Sequence, residues 1–319
     1  MESKLTIAIV ITVLDEAGTI EPLLEALVSQ TLQPREIIIV DGGSKDGTFT
    51  KIEGFSSKYN TVRLIYAPGS NIPEGRDIGI TASDCSIIAI TDGGCVPAND
   101  WLRVLVKPFQ SDVDLGLVSG AVELDSANHL ESCIGRCSLA YQKRFGDRVF
   151  LPTARSLAFR RSIWKQVGGF PHQYATGEDA SFILEASRLT GVELVNDAVV
   201  YWRPRSSYSE VIVQFYSYAL GLAQAGLSGQ FHFRTIALSL VGLAGLALAL
   251  TLNNWLPILV IALVFLLYLA RKARQGCFDD PSWRTYYRVP LILLAIHIGT
   301  MAGIIHGNWQ RLSGGFPGQ

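Results

Sequence analysis

Four acidic or basic stretches of this chain hold residue types that chemistry could use. In SIIAITDGGC (86–95) an apolar, β-branched run ends on Asp92, and Gly93 and Gly94 follow it. A magnesium or manganese ion on a diphosphate needs a carboxylate oxygen and tolerates few other protein ligands. The glycines would leave room for the phosphates. A strand-end aspartate capping a turn is the plainer alternative. In DGGSKDGT (41–48) Asp41 also follows an apolar run. A carboxylate there accepts hydrogen bonds from a base or ribose, and Gly42 lets that ligand come close. An ordinary β-α turn, with Asp46 capping the next helix, competes with that reading. Arg76 and Asp77 stand in EGRDIGI (74–80). The arginine could reach a pyrophosphate with both nitrogens, or pair with Glu74 or Asp77 at the surface. Glu178 and Asp179 follow the glycine-rich GGFPHQYATG (168–177) and open a helix. Acids at a helix start often answer only its dipole. They could also offer a general base to a sugar hydroxyl. Neither GxGxxG nor GxxxxGK[ST] occurs, which disfavours dinucleotide binding and P-loop ATP hydrolysis.

The elements around these residues alternate. LTIAIVITVL (5–14), EIIIVD (36–41), VRLIY (62–66) and SIIAITD (86–92) read as buried strands, continuous and β-branched as doubly covered parallel strands are. Residues 19–30 and 71–83 read as helices, the first with Thr19 as N-cap and Pro22 in its first turn. Such β-α units predict a parallel sheet with ligands at the carboxyl ends of its strands, where Asp41 and Asp92 lie. Beyond residue 115 the pattern predicts a strand at LGLVSGAVEL (115–124), a helix at 128–145, a strand at SLAFRR (156–161), a helix at 178–190 and a strand at ELVNDAVVYW (193–202). The sheet should therefore become mixed.

With 27 Lys and Arg against 28 Asp and Glu, the formal net charge of −1 gives no field for nucleic acid. Hydrophobic residues make up 49% of the chain and the mean hydropathy is +0.28, with the excess concentrated in 235–306. The stretches 235–252, 255–271 and 289–306 each approach the ~20 residues that a bilayer helix needs. Arg271, Lys272, Arg274, Arg284 and Arg288 crowd the loop between the second and third, while the Asn253–Asn254 turn has no basic residue. The positive-inside rule puts that loop and the N-terminal domain in the cytoplasm, on a multi-pass protein of the cell (inner) membrane. Ala295, Gly299, Gly303 and Gly307 form a small-residue stripe suited to close packing, and a homo-oligomer could use it. His297 and His306 in the same span read as packed or interfacial. Residues 206–233 read as an amphipathic helix at the lipid interface, with a core helix as the competing reading. The domains expected are thus 1–205, 206–233 and 234–319. The apolar run Leu5–Leu14 reads as a strand and not a signal peptide. The five cysteines are an odd number, with Cys133 and Cys137 one helical turn apart. They have no histidines spaced for zinc and read as thiols of a reducing compartment.

The ordered series TVLDEA, IIIVDGGSKDGT, GRDIGI, ITDGGC, VGGF and GEDASF resembles the family 2 inverting glycosyltransferases. The resemblance covers roughly residues 5–205, and the trailing spans are similar to the membrane-attached bacterial members. It implies a GT-A nucleotide-sugar-binding α/β fold with a mixed, mostly parallel sheet, followed by an all-α transmembrane domain. It implies that Leu14, Asp15, Glu16, Asp41 and Gly42 bind the nucleoside and that Arg76 approaches the nucleotide. Asp92, with Gly93 beside it, would hold Mg2+ or Mn2+ on the diphosphate. Asp179 would be the catalytic base and Glu178 would lie beside the acceptor. The partners implied are a nucleotide-diphospho-sugar donor, a lipid-linked or membrane-proximal glycan acceptor and the lipid bilayer. Two departures stand out. The family's usual Asp-x-Asp is here Asp92-Gly93-Gly94. The Gln-x-x-Arg-Trp motif of processive synthases is missing, its nearest counterpart being Gln214–Tyr218, which points to a non-processive enzyme. A non-catalytic nucleotide-sugar-binding or scaffold protein with a decayed metal site is the alternative.

Overall fold

The computed structural model describes residues 5–142, 153–174, 176–276 and 282–313. The chain divides into two compact units. Met1–Asp125 with Arg144–Arg203 make the first, and Ser126–Lys143 with Pro204–Gln319 the second. The helix expected at 128–145 therefore groups with the C-terminal part of the chain and not with the sheet that precedes it.

The first unit begins with β-α alternation: β1 (Ile7–Val13), α1 (Ile20–Val28), β2 (Glu36–Asp41), α2 (Thr48–Lys58), β3 (Val62–Tyr66), α3 (Ile72–Thr81) and β4 (Ile87–Ile90). Short elements follow, β5 (Cys95–Pro97), α4 (Trp101–Val106) and α5 (Pro108–Ser111), and then β6 (Leu117–Leu124). After α6 (His129–Gln142), which belongs to the second unit, come β7 (Leu157–Arg160), α7 (Arg161–Val167), α8 (Glu178–Leu189) and β8 (Val192–Trp202). Eight strands form one sheet in the order β3-β2-β1-β4-β7-β6-β8-β5. The first four pair in parallel. β7 runs antiparallel between β4 and β6, and β8 is parallel to β6 with a register shift between Gly120 and Ala121. Mixed pairing arises where the β-α alternation stops, as the sequence suggests.

Burial explains why the central strands carry no polar alternation. Every residue of β4 is buried, as is all of β2 beyond Glu36, because helices cover both faces. α3 packs close to that sheet. Its start is fixed by a capping box in which Asn71 and Glu74 satisfy each other's backbone N–H groups, an arrangement worth about 1 kcal/mol. Gly75 and Gly79, one turn apart, face the sheet. A Cβ at Gly75 would stand 2.8 Å from Thr12 Cγ2, and one at Gly79 would press on Val10 and Val40. Thr19, expected as a side-chain N-cap of α1, makes no cap bond. Its hydroxyl donates instead to the carboxylate and carbonyl of Glu16.

The second unit holds α6, α9 (Tyr208–Gln224), α10 (Ser228–Thr251), α11 (Leu256–Gly276) and α12 (Trp283–Leu312). α9 and α12 pack along their length. Cβ atoms at Gly299 and Gly303 would overlap the carbonyl oxygens of Ile212 and Tyr216, and one at Gly307 would lie 2.7 Å from Leu220 O. The stripe expected to join a second copy is therefore filled by α9 of the same chain and is not free for a homo-oligomer. α9 buries Val211, Phe215, Ala219 and Leu222, the first two among α6 and α12 side chains, a packed character that competes with the interfacial reading of residues 206–233. Among the described residues two helices, α10 and α12, are long and apolar enough to cross a membrane. The second expected span, 255–271, lies in α11 (Leu256–Gly276), which among the described residues is apolar over Leu256–Phe265. Leu240, Leu243, Leu248 and Leu250 of α10 are exposed.

Candidate active site

The parallel strands β1, β2 and β4 end on the same edge of the sheet and deliver Leu14 to Glu16, Asp41 and Asp92 there. Two strand spacings separate β2 from β4, so Asp41 and Asp92 emerge roughly 10 Å apart along that edge. Asp41 is fully buried. Its Oδ1 accepts the N–H groups of Gly43 and Ser44, both at 2.7 Å. Its Oδ2 is buried with no hydrogen-bond partner. A buried carboxylate oxygen left unmatched is costly in a closed protein, so this atom suits the N–H of a ligand. Gly42 lies beside Val13 O and Leu14 Cδ1, and Leu14 itself is exposed.

The loops after β1 and β2 are joined by short bonds. Asp15 adopts the left-handed conformation, at φ +54°. Its N–H donates to Ser44 Oγ at 2.9 Å and its Oδ1 accepts from Lys45 N–H at 2.7 Å. Glu16 N–H donates to Thr48 Oγ1 at 2.8 Å, and Ala17 N–H to Asp46 Oδ2 at 2.9 Å. Asp46, expected as the cap of α2, accepts from Thr48 N–H at 3.0 Å and so ties α2 to the β1 loop as well. Glu16 also approaches the loop after Asp92, since a Cβ at Gly93 would lie 3.1 Å from Glu16 Cγ.

Arg76 joins the two ends of the site. It is 4% exposed, not at the surface with Glu74 or Asp77. Its Nη1 donates to Glu178 Oε1 at 2.6 Å and its Nη2 to Asp92 Oδ1 at 3.1 Å, while Phe170 lies 5.4 Å below the guanidinium. Both terminal nitrogens face carboxylates, which sets Arg76 between Asp92 and Glu178. Burial disfavours charge on Arg76, but Glu178, Asp92 and Asp179 outweigh it and hold its pKa above the ordinary value. Glu178 is 5% exposed. Burial pushes its carboxyl up to about 7, assisted by Asp179 and opposed by Arg76. Asp179, next along α8, is more accessible than Glu178. It accepts from Ala154 N–H at 3.2 Å and Ala180 N–H at 2.8 Å, which fixes its orientation.

Three carboxylates around one guanidinium leave negative charge over, a setting that favours a cation or a shared proton. The donor set bears on which cation. Among the described residues no group of three or more His, Cys, Asp or Glu side chains stands ready to hold a metal. Asp92 is partly exposed, at 38% of its side chain, and a Cβ at Gly94 would meet nothing within 4 Å. One carboxylate with open space before it fits an ion whose other ligands are phosphates and water, and not a protein cage.

The structure thus brings Arg76, Asp92, Glu178 and Asp179 together, and sets Leu14, Asp15, Glu16, Asp41, Gly42 and Gly93 along the same sheet edge. Sequence reasoning left Phe170 and Asp77 without a place in the site. The VGGF stretch and the acid beside Arg76 were visible, but nothing in one sequence says that they meet.

A mostly parallel sheet with acids on its carboxyl edge, continued by antiparallel strands and the helix of Glu178–Asp179, defines a GT-A glycosyltransferase. Residues 8–166 match the model of "Glycosyl transferase family 2", so the chain carries a domain of that family. Glycosyltransferase AglE of Haloferax volcanii is 27% identical over 246 residues, covering 75% of this chain and 80% of that protein. The O-antigen chain rhamnosyltransferase RfbN of Salmonella typhimurium is 26% identical over 179 residues, covering 51% and 55%. Among solved structures, the mannosyltransferase PcManGT of Pyrobaculum calidifontis, in complex with GDP-Man and Mn2+, matches with a TM-score of 0.62. The match spans 94% of this chain and 88% of that one at 18% identity, a likeness of fold.

Proposed function

We propose that this glycosyltransferase is a membrane-anchored, inverting and non-processive enzyme. It moves a sugar from a nucleotide-diphospho-sugar to a hydroxyl of a lipid-linked or membrane-proximal glycan. The donor lies across the carboxyl ends of β1, β2 and β4, a reading supported by GDP-Man bound to a protein of the same fold. Asp41 Oδ2 accepts an N–H of the base, and Gly42 and Gly93 let the ribose and phosphates approach. Asp179, half-exposed and oriented by two backbone N–H groups, takes the proton from the acceptor hydroxyl. That oxygen attacks the anomeric carbon from the face opposite the diphosphate, so configuration inverts. Glu178 is too buried to reach an acceptor and instead orients Arg76. Asp92 would hold a divalent ion on the diphosphate, where the ion offsets charge building on the leaving group. The exposed leucines of α10 and the apolar length of α12 support an anchor in the cell (inner) membrane, with the first unit on the cytoplasmic side by the basic 271–288 loop.

The observation that carries this reading is the buried Arg76 bridge, which puts Asp92 from a strand end and the Glu178–Asp179 helix start in one site. The test is transfer by the full-length protein in detergent, with UDP-glucose, GDP-mannose and dTDP-rhamnose offered in turn with Mn2+ or Mg2+. Asp179→Asn should abolish nucleoside diphosphate release while donor binding stays nearly intact. Retained turnover refutes Asp179 as the base. A wild-type protein that binds donors yet neither hydrolyses nor transfers them is the scaffold alternative.

A further inference from the structure

Asp77 follows Arg76 on α3 but serves a different set of partners. Its Oδ1 accepts from Trp164 Nε1 at 2.6 Å, and Phe170 N–H donates to Oδ2 at 3.0 Å and to Oδ1 at 3.2 Å. His172 Nε2 lies 2.8 Å from Oδ2. The carboxylate is only 15% exposed. Gly169, at φ +94°, runs so near that a Cβ there would stand 2.6 Å from Asp77 Oδ2. Asn71 Nδ2 adds a bond to His172 O at 3.0 Å.

All of Asp77's donors come from one segment, the end of α7 and the turn after it. α3 does not need them for its own place, because Gly75 and Gly79 seat it on the sheet and the capping box fixes its start. The held turn does need them. It sets Phe170 under Arg76 at 5.4 Å and stacks it on Phe182 of α8 at 4.3 Å. It then leads into Gly177 and Glu178.

We propose that Asp77 is a positioning residue of the transfer reaction. By gathering Trp164, Phe170 and His172 it holds the Gly168–Phe170 turn on α3. Through Phe170 and Arg76 it thereby sets where Asp92, Glu178 and Asp179 stand. The proposal rests on the glycosyltransferase reading above. It adds that the base and the donor-side acid are kept in register by a carboxylate that touches neither substrate.

The test is Asp77→Asn in the full-length protein, a change that keeps the side-chain shape but turns an NH2 group toward N–H donors. Nucleoside diphosphate release is measured with the same three sugar donors and Mn2+. The expected result is a fall in kcat of tenfold or more with donor KM within threefold, because the fault lies in alignment and not in donor binding. Trp164→Phe removes one donor and should lower kcat about threefold, which keeps the test open if Asp77→Asn does not fold. A kcat within twofold of wild type in the folded variants overturns the proposal, as does a loss confined to KM. Asp179→Asn is run beside them. If it is dead while Asp77→Asn is fully active, the positioning role fails and the enzyme reading stands. If both are fully active, the positioning role and the assignment of Asp179 as base both fail; if the wild type itself releases no nucleoside diphosphate, the enzyme reading fails.

Discussion

A buried arginine facing several acids and a glutamic acid raised to about 7 make the centre of the site sensitive to pH. Glu178 is raised from an ordinary 4.5 chiefly by burial, so the folded chain holds a proton that the unfolded chain has released. The native advantage is complete below about 4.5 and is lost as pH rises to about 7. Glu178→Gln removes the titration. Wild type should therefore lose stability relative to this variant between pH 4.5 and 7, on the order of 3 kcal/mol for a shift of this size. Chemical unfolding of both proteins across that range measures it, and a difference independent of pH contradicts the assignment. Cys95, buried close to Asp92, is pushed up to about 12 by burial. It stays a thiol and contributes no nucleophile.

Helices in this chain are placed by what their glycines leave out. Gly75 and Gly79 bring α3 down on β1 and β2, and Gly299, Gly303 and Gly307 let α12 lie on the backbone of α9. Gly303→Ala should force the α9–α12 pair apart, at about 1–3 kcal/mol for overpacking of this kind. It should lower the melting temperature of the detergent-solubilised chain, and an unchanged melting temperature would show that the helices can yield. The α9–α12 contact also marks the limit of what was legible. Strands β1 to β4, α3, α8 and β8 could be read because each is set by its own local pattern of apolar and turn residues. The regular spacing of the small residues in α12 could be read too, but not what fills it. Arg76 and Glu178 are a hundred residues apart, and no local pattern reports a pairing at that distance. The same holds for Asp77, whose donors all lie on the far side of β7. The placement of Asp41 and Asp92 could be read because each closes an apolar strand run, and strand ends in parallel sheets are where ligands bind.

For the molecule as a whole, the C-terminal helices carry the proposed membrane anchor. Leu240, Leu243, Leu248 and Leu250 of α10 present a face that water would disfavour, and α12 is long enough to cross. Full-length protein in a membrane fraction should resist both high salt and alkaline carbonate and come into solution only with detergent. Release by carbonate would mean that α10 and α12 do not span. The left-handed backbone at Asp15 bears on how this chain can change over evolutionary time. Aspartate, asparagine and glycine are the residues that accept that conformation readily. A valine or isoleucine at position 15 would therefore carry backbone strain there whatever it did to the sugar donor.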